Sequence, residues 1–220
     1  MNEFEIDWQR EARTGIAEAV FCADKSVEQI AAILTAAGQR PLLLTRFAQQ
    51  QFAGLPELLR AGLDHDASSG TAFHRFRERP LIRGPGIVCA GTSDLHVARE
   101  AQRTLAFYGY LAPVIADVGV AGLWRLMQRL EEIRSFSIVI AVAGMEGALF
   151  SVLAGLIDAP VIAVPTSVGY GVAEHGRAAL NSALASCAQG LVSVNIDNGF
   201  GAACAALRMI RCRDAAVEQG

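Results

Sequence analysis

From Gly86 onward the chain alternates between short, almost wholly apolar runs and longer runs with helical spacing. No other feature limits the possible folds so strongly. The apolar runs are "GIVCA", "LAPVIA", "FSIVIAVA", "PVIAVP" and "LVSVNI". Each precedes a helix-patterned run. In "DLHVAREAQRTLAFYG", for example, Val97, Ala101, Leu105 and Tyr108 fall on one face. A strand that is apolar at nearly every position has no polar side to show to water. It suits a parallel sheet covered on both faces. Five strands, each followed by a helix, predict an α/β fold: a doubly wound five-stranded parallel sheet of flavodoxin-like type.

The first 84 residues lack this alternation. They are expected to form a small α/β N-terminal domain and a connector, with the sheet domain at 85–212 and a tail at 213–220. "DWQREARTGIAEAVFC" and "SVEQIAAILTAAG" read as helices, "PLLLTR" as a strand and "AQQQFAGLPELLRAG" as a third helix. "LDHDASSGTAFHRFRERPLIRGPG" carries turn residues and charge, which reads as a connector and places the boundary near Gly84.

Composition narrows the function. With 52% hydrophobic residues in 220, a full core is available and disorder is not expected. A net charge of −3 gives no basic surplus to neutralise a nucleic-acid backbone. The acidic start "MNEFEIDWQR" is no secretory signal, and the longest apolar run, "FSIVIAVAGM", is about half a membrane span. A cytoplasmic protein without a nucleic-acid or membrane partner is expected. The cysteines, Cys22, Cys89, Cys187, Cys204 and Cys212, are odd in number and form no CxxC pair, and the histidines are scattered. Neither a disulfide framework nor a zinc site is supported.

In a parallel α/β sheet, ligands bind beyond the carboxyl ends of the strands. Five loops belong there: 91–94, 117–122, 144–147, 165–171 and 195–201. Gly91, Thr92 and Ser93 open a helix and could hold a phosphate on backbone N–H groups and the Ser93 hydroxyl. Ser93 or Asp94 would equally serve as an ordinary cap. Glu146 stands in the turn "GMEG" beside Gly144 and Met145, where partial burial would suit it to acid or base work; helix capping is the alternative. Thr166, Ser167 and Tyr170 sit in a loop suited to binding or covering a ligand. Asp197 or Asn198 faces the ligand or caps the last helix, and Asp117 is a second carboxylate, a metal ligand or a turn former. Asp7, Arg10 and Arg13 recur at helical spacing. They mark a salt-bridged solvent face or, for Arg13 together with Lys25, contacts to an anionic substrate.

The segments "AGTSDLHVAREA", "DVGVAGLWRL", "VAGMEGALFSVLAGL", "APVIAVPTSVGYG", "LASCAQGLVSVNIDNGFGAA" and "DWQREARTGIAEAVF" together resemble the LarB family. These are nickel-pincer nucleotide cofactor biosynthesis proteins, pyridinium-3,5-biscarboxylic acid mononucleotide synthases. Their second domain is similar to aminoimidazole ribonucleotide carboxylase. The resemblance implies carboxylation by CO2 at the pyridinium C5 of nicotinic acid adenine dinucleotide, with hydrolysis of the phosphoanhydride and release of AMP. The product would go on to a nickel cofactor for lactate racemase or a related enzyme. An electron-poor pyridinium needs a nucleophile to activate C5, and the resemblance assigns that role to the thiol of Cys187. It also makes Glu146 and Asp94 candidates for moving the C5 proton. Gly91, Thr92 and Ser93 would hold a phosphate, and Asp117, Gly144, Met145, Ser167, Tyr170, Arg13 and Lys25 would complete the substrate contacts. No organic cofactor is implied. Mg2+ is the expected metal, with Glu146, Asp117 and Asp197 as candidate ligands. Some positions depart from the pattern. Ala148 and Phe150 stand where the purine enzyme carries histidine and proline, Phe150 and His96 replace prolines usual in LarB, and "FCADKS" lacks the usual glycines before Lys25. Aminoimidazole ribonucleotide carboxylation, or mutase chemistry on it, is the alternative enzyme reading. A nucleotide-binding sensor of the same fold is the non-catalytic one.

Cys187 ends a helix and precedes a strand, so the strand-end rule puts it on the far side of the sheet from the ligand loops. The negative end of a helix also disfavours a thiolate. The carboxylase resemblance implies sites built between subunits of an octamer. A homo-oligomer in which Cys187 serves the loops of another protomer is therefore expected.

Overall fold

A computed structural model of the chain describes residues 4–76 and 80–218. The chain divides into two compact units, Met1–Pro80 and Leu81–Gly220. In the first, α1 (Arg10–Thr14) leads to β1 (Ala19–Phe21), α2 (Val27–Ala37), β2 (Leu42–Thr45), α3 (Gln49–Gly54), α4 (Glu57–Arg60), β3 (Leu63–Asp66) and β4 (Thr71–His74). The sheet runs β1-β2-β4-β3, with β1 parallel to β2 and the other neighbours antiparallel. Its core gathers Val20, Ile30, Leu34, Leu44, Phe47 and Ala72.

Several expectations for this unit are corrected. "DWQREARTGIAEAVFC" is not one helix. Gly15 takes the left-handed conformation (φ 76) and closes α1 after five residues, and the chain then enters β1. Pro56 divides the third helix into α3 and α4. The stretch expected as a connector supplies a hairpin, and its second strand, "TAFH", is buried at every position. The Asp66 carboxylate turns that hairpin by accepting from the Ser68 N–H at 2.9 Å and from the Ser69 hydroxyl at 3.0 Å. Residues 77–79 of the same stretch lie outside the described residues.

The second unit contains β5 (Ile82–Arg83), β6 (Pro85–Cys89), α5 (Leu95–Phe107), β7 (Tyr110–Leu111), β8 (Val114–Ile115), α6 (Leu123–Gln128), α7 (Leu130–Arg134), β9 (Ile138–Ala143), α8 (Ala148–Leu156), β10 (Val161–Pro165), α9 (Arg177–Leu184), β11 (Leu191–Ser193) and α10 (Gly199–Glu218). The main sheet runs β11-β10-β9-β6-β8 and every pair in it is parallel. This is the doubly wound α/β fold that the alternation predicts. Strands β6, β9 and β10 are buried throughout, as their apolar sequences require. Val97, Ala101 and Leu105 of α5 are buried as their spacing foretells. Ile82 and Arg83 pair with Tyr110 and Leu111, which draws them into this unit and moves the boundary ahead of Gly84. Helix α10 continues to Glu218, through most of the expected tail. Among the described residues no helix is long and apolar enough to cross a membrane.

Helices α5 and α10 pack closely. A Cβ on Gly199 would stand 2.3 Å from the Val97 carbonyl oxygen and 3.1 Å from the Ala101 nitrogen. Both are backbone atoms and cannot swing aside. The buried Glu100 carboxylate accepts from the Phe200 N–H at 3.2 Å, and Asn198 Oδ1 accepts from the Gly201 N–H at 2.8 Å. These bonds occupy donors of the first turn of α10. Gly199→Ala should therefore destabilise the protein by about 1–3 kcal/mol in urea unfolding, the usual cost of overpacking a close contact. A loss below about 0.5 kcal/mol would show that the two helices part cheaply.

Candidate active site

The chain leaves β6 for β8 on one side and returns to β9 on the other, so strand order reverses between β6 and β9. A crevice of about 340 Å3 opens beyond the carboxyl ends of these two strands. Ser93 and Asp94 come to it from the first expected loop, Gly119 from the second, Met145 and Glu146 from the third and Val168 from the fourth. The walls are chiefly backbone and small side chains, which lets a flat ligand approach closely.

Asp94 is 3% exposed although its loop is at the surface. Its Oδ2 accepts from the Gly91 N–H at 3.0 Å, and its Oδ1 accepts from the hydroxyl of Thr166, a residue buried at the end of β10. Burial pushes the carboxyl above the ordinary aspartate range, while the bonds from Thr166 and Gly91 pull it down. The carboxylate turns onto the loop's own backbone and onto β10, while Thr92 and Ser93 stay exposed.

The turn after β9 is tight. Met145 (φ 52) and Gly147 (φ 66) are both left-handed, and the Met145 N–H donates to the Val168 carbonyl at 2.7 Å. A Cβ on Gly144 would meet that carbonyl oxygen at 2.2 Å and Thr166 Oγ1 at 2.8 Å, so only glycine fits. Glu146 lines the crevice but is exposed, not partly buried as expected, because the left-handed turn lifts it clear of the sheet. Phe150 is fully buried in the core beneath the turn, and a Cβ on Gly147 would touch its ring. The replaced proline is thus a packing residue here.

The other predicted residues separate from this cluster. Asp117 pairs with Arg125. Asp197 Oδ1 accepts from the Ser167 N–H at 2.8 Å, tying the fourth loop to the fifth, and Asn198 caps α10. Ser167 is exposed and Tyr170 is 75% exposed. Among the described residues no group of three or more His, Cys, Asp and Glu could hold a metal, and Glu146, Asp117 and Asp197 do not come together as one such group. In the first unit Arg13 donates to both carboxylate oxygens of Asp7, at 3.1 and 2.5 Å, on an exposed face. That is the salt-bridged alternative. Lys25 follows β1 and precedes the Ser26 cap of α2.

Cys187 is exposed in the loop between α9 and β11. Gly190 in that loop accepts from the N–H of Val161, the first residue of β10, which places the loop at the amino ends of the strands. Within one protomer the thiol is therefore at the opposite end of the sheet from Asp94. Ser186 Oγ accepts from the Ala188 N–H at 3.2 Å and lies 2.7 Å from Ser151 Oγ, holding the turn on which Cys187 sits. Thr166 is the residue whose part sequence reasoning underrated. Its place directly after an apolar strand was the available signal.

The sheet and its crevice define a doubly wound α/β protein with a ligand site at the reversal point, and the families it matches make it a carboxylase-type enzyme. The AIR carboxylase family matches residues 86–220, and the LarB/PurE-like N-terminal domain matches residues 1–75. The chain belongs to the LarB-type proteins, with an AIR carboxylase-like second domain. It is 35% identical over 207 residues to an uncharacterized protein of Methanocaldococcus jannaschii, covering 90% of this chain and 80% of that one.

A carboxyl whose pKa is raised in the fold binds more protons there than in the unfolded chain, from the ordinary value of 3.8 up to the folded one. Its contribution to stability therefore falls as pH rises through that window. Asp94→Asn removes this dependence. The stability difference between variant and wild type should move in favour of the variant as pH rises from about 4 to about 7, measured by urea unfolding. A difference that stays constant, or moves toward the wild type, contradicts a desolvated Asp94.

Proposed function

We propose that the protein carboxylates the pyridinium C5 of nicotinic acid adenine dinucleotide and cleaves its phosphoanhydride, releasing AMP and pyridinium-3,5-biscarboxylic acid mononucleotide. The observation that carries this reading is the buried Asp94 carboxyl in the wall of a narrow crevice at the sheet's reversal point. Its pairing with a LarB-type first domain directs the reading to a nicotinate dinucleotide.

In this reading the Cys187 thiolate adds to C4 of the pyridinium, and the ring electrons move onto N1. The resulting N1–C6=C5 enamine attacks CO2 from C5 and forms the new C–C bond. Asp94 takes the C5 proton, which restores the dihydropyridine, and N1 then expels the thiolate and regains aromaticity. Partial desolvation suits Asp94 to this transfer, since a base of raised pKa holds its proton more firmly. Backbone N–H groups of Thr92 and Ser93 face a phosphate, while the Gly91 N–H stays on the Asp94 carboxylate. Glu146, exposed at the rim, is placed to orient the incoming carboxylate or the nucleotide. Because Cys187 and Asp94 lie at opposite ends of one sheet, the thiol comes from a second protomer of a homo-oligomer, an octamer as the resemblance implies. Aminoimidazole ribonucleotide carboxylation is the weaker reading. Phe150 is buried in the core, and Ala148 gives the crevice only a methyl group where that chemistry has histidine.

Incubation with nicotinic acid adenine dinucleotide and bicarbonate should yield AMP and the dicarboxylated mononucleotide by mass spectrometry. Cys187→Ala and Asp94→Asn should each lower carboxylation by at least about 100-fold, the usual scale for a nucleophile or a general base. Co-refolding the two variants in equal amounts should restore activity to about a quarter of the sites, as shared interfaces require. Absence of both products from the wild type ends the substrate assignment, and no recovery in the mixture ends the shared site.

A further inference from the structure

We infer that Thr166 is the positioning residue for Asp94: its hydroxyl, reaching across the reversal point from the end of β10, fixes the carboxyl at the angle and in the charge state that proton transfer at the crevice requires. The inference deepens the proposed function and rests on Asp94 acting as the base there.

The geometry is specific. Asp94 belongs to the loop after β6 and Thr166 to the end of β10, and β9 lies between those strands. The hydroxyl can span that gap only because Gly144, at the end of β9, has no side chain. A Cβ there would stand 2.8 Å from Thr166 Oγ1. Thr166 is itself fully buried, and its N–H donates to the Ala143 carbonyl at 2.9 Å, so the sheet fixes its backbone. A serine or threonine in a loop usually bonds its own backbone neighbours. This one is bonded to a carboxylate 72 residues away in sequence. With Oδ1 held by Thr166 and Oδ2 by the Gly91 N–H, the carboxyl plane is set from two independent elements. Such restraint is what keeps a reacting group within the narrow tolerance of proton transfer.

The bond also tunes charge. A hydroxyl that donates to a carboxylate favours the ionised form, and here it works against burial. Other groups act on Asp94 from the elements around it. His96 on α5 favours ionisation, and the Gly144 backbone adds a further favourable hydrogen bond. Cys89 at the end of β6 donates to the Gly91 carbonyl, and its thiol is held up at about 12 by burial, so it stays neutral. Glu146 and Asp117 are the nearby carboxylates on the third and second loops. None of these replaces the hydroxyl of Thr166.

The test uses Thr166→Val, which keeps the shape and removes the hydroxyl, and Thr166→Ser, which keeps the hydroxyl. Two readouts are compared. The first is the titration of Asp94 followed by carboxyl 13C NMR on the full-length protein, assigned by its loss in Asp94→Asn; it needs no substrate. The second is the acidic limb of kcat/KM for the dinucleotide. Thr166→Val should move both upward by about one pH unit, the usual scale of a hydrogen bond to a charged group, and Thr166→Ser should restore both. An Asp94 titration that is the same in Thr166→Val and in the wild type overturns the inference, as does a serine variant as displaced as the valine variant. If the wild type does not turn over the dinucleotide, the substrate reading fails, and the NMR titration still decides the role of Thr166.

Discussion

Strand β9 sets the plan of the second unit. All six of its residues are buried, and it pairs with β6 on one side and β10 on the other. A strand so enclosed can satisfy its backbone only within the sheet. Because both pairings are parallel, each connection must cross a face of the sheet as a helix, and the carboxyl ends of the strands emerge together. The return from β8 past β6 to β9 then leaves one place where neighbouring loops diverge. The crevice occupies that place, and the small residues of its walls follow from how close the loops must come.

Much of this was legible because it rests on strong local pattern. Unbroken apolar runs and the face of α5 identified the sheet, its direction and the loops that matter. What escaped notice depended on distant neighbours. "EAVFC" follows directly on a helix-patterned run, but Gly15 ends α1 and Leu44 gives Val20 a strand partner. "TAFH" lies among charges and turn residues, and only its pairing with β2 and β3 buries it. The exposure of Glu146 depends on left-handed backbone at Met145 and Gly147, which no residue pattern announces. Thr166 acquires meaning only when Asp94 is brought beside it, and Asp117 ceases to be available once Arg125 reaches it.

The sheet also sets a spacing that one protomer cannot overcome. Strand β10 has five residues and at about 3.3 Å each spans roughly 16 Å. The thiol of Cys187 is at its amino end and the carboxyl of Asp94 beyond its carboxyl end. In the proposed reaction, a fold whose loops all open on one side would recruit the thiol on the other side from a neighbouring copy. Assembly would then be part of the reaction, and dilution would act on turnover through the loss of complete sites.

The cap on α10 bears on where an anion can settle. A helix start beyond a strand's carboxyl end is ordinarily a natural seat for phosphate, because its amide protons and dipole are left unanswered. Here a buried glutamate from α5 already fills that seat. The longest helix of the unit answers its own first-turn donors, so in the proposed reaction a dinucleotide's phosphates would find the Phe200 and Gly201 N–H groups already engaged there. A residue that serves packing would thereby help to choose which of several similar helix mouths a ligand enters.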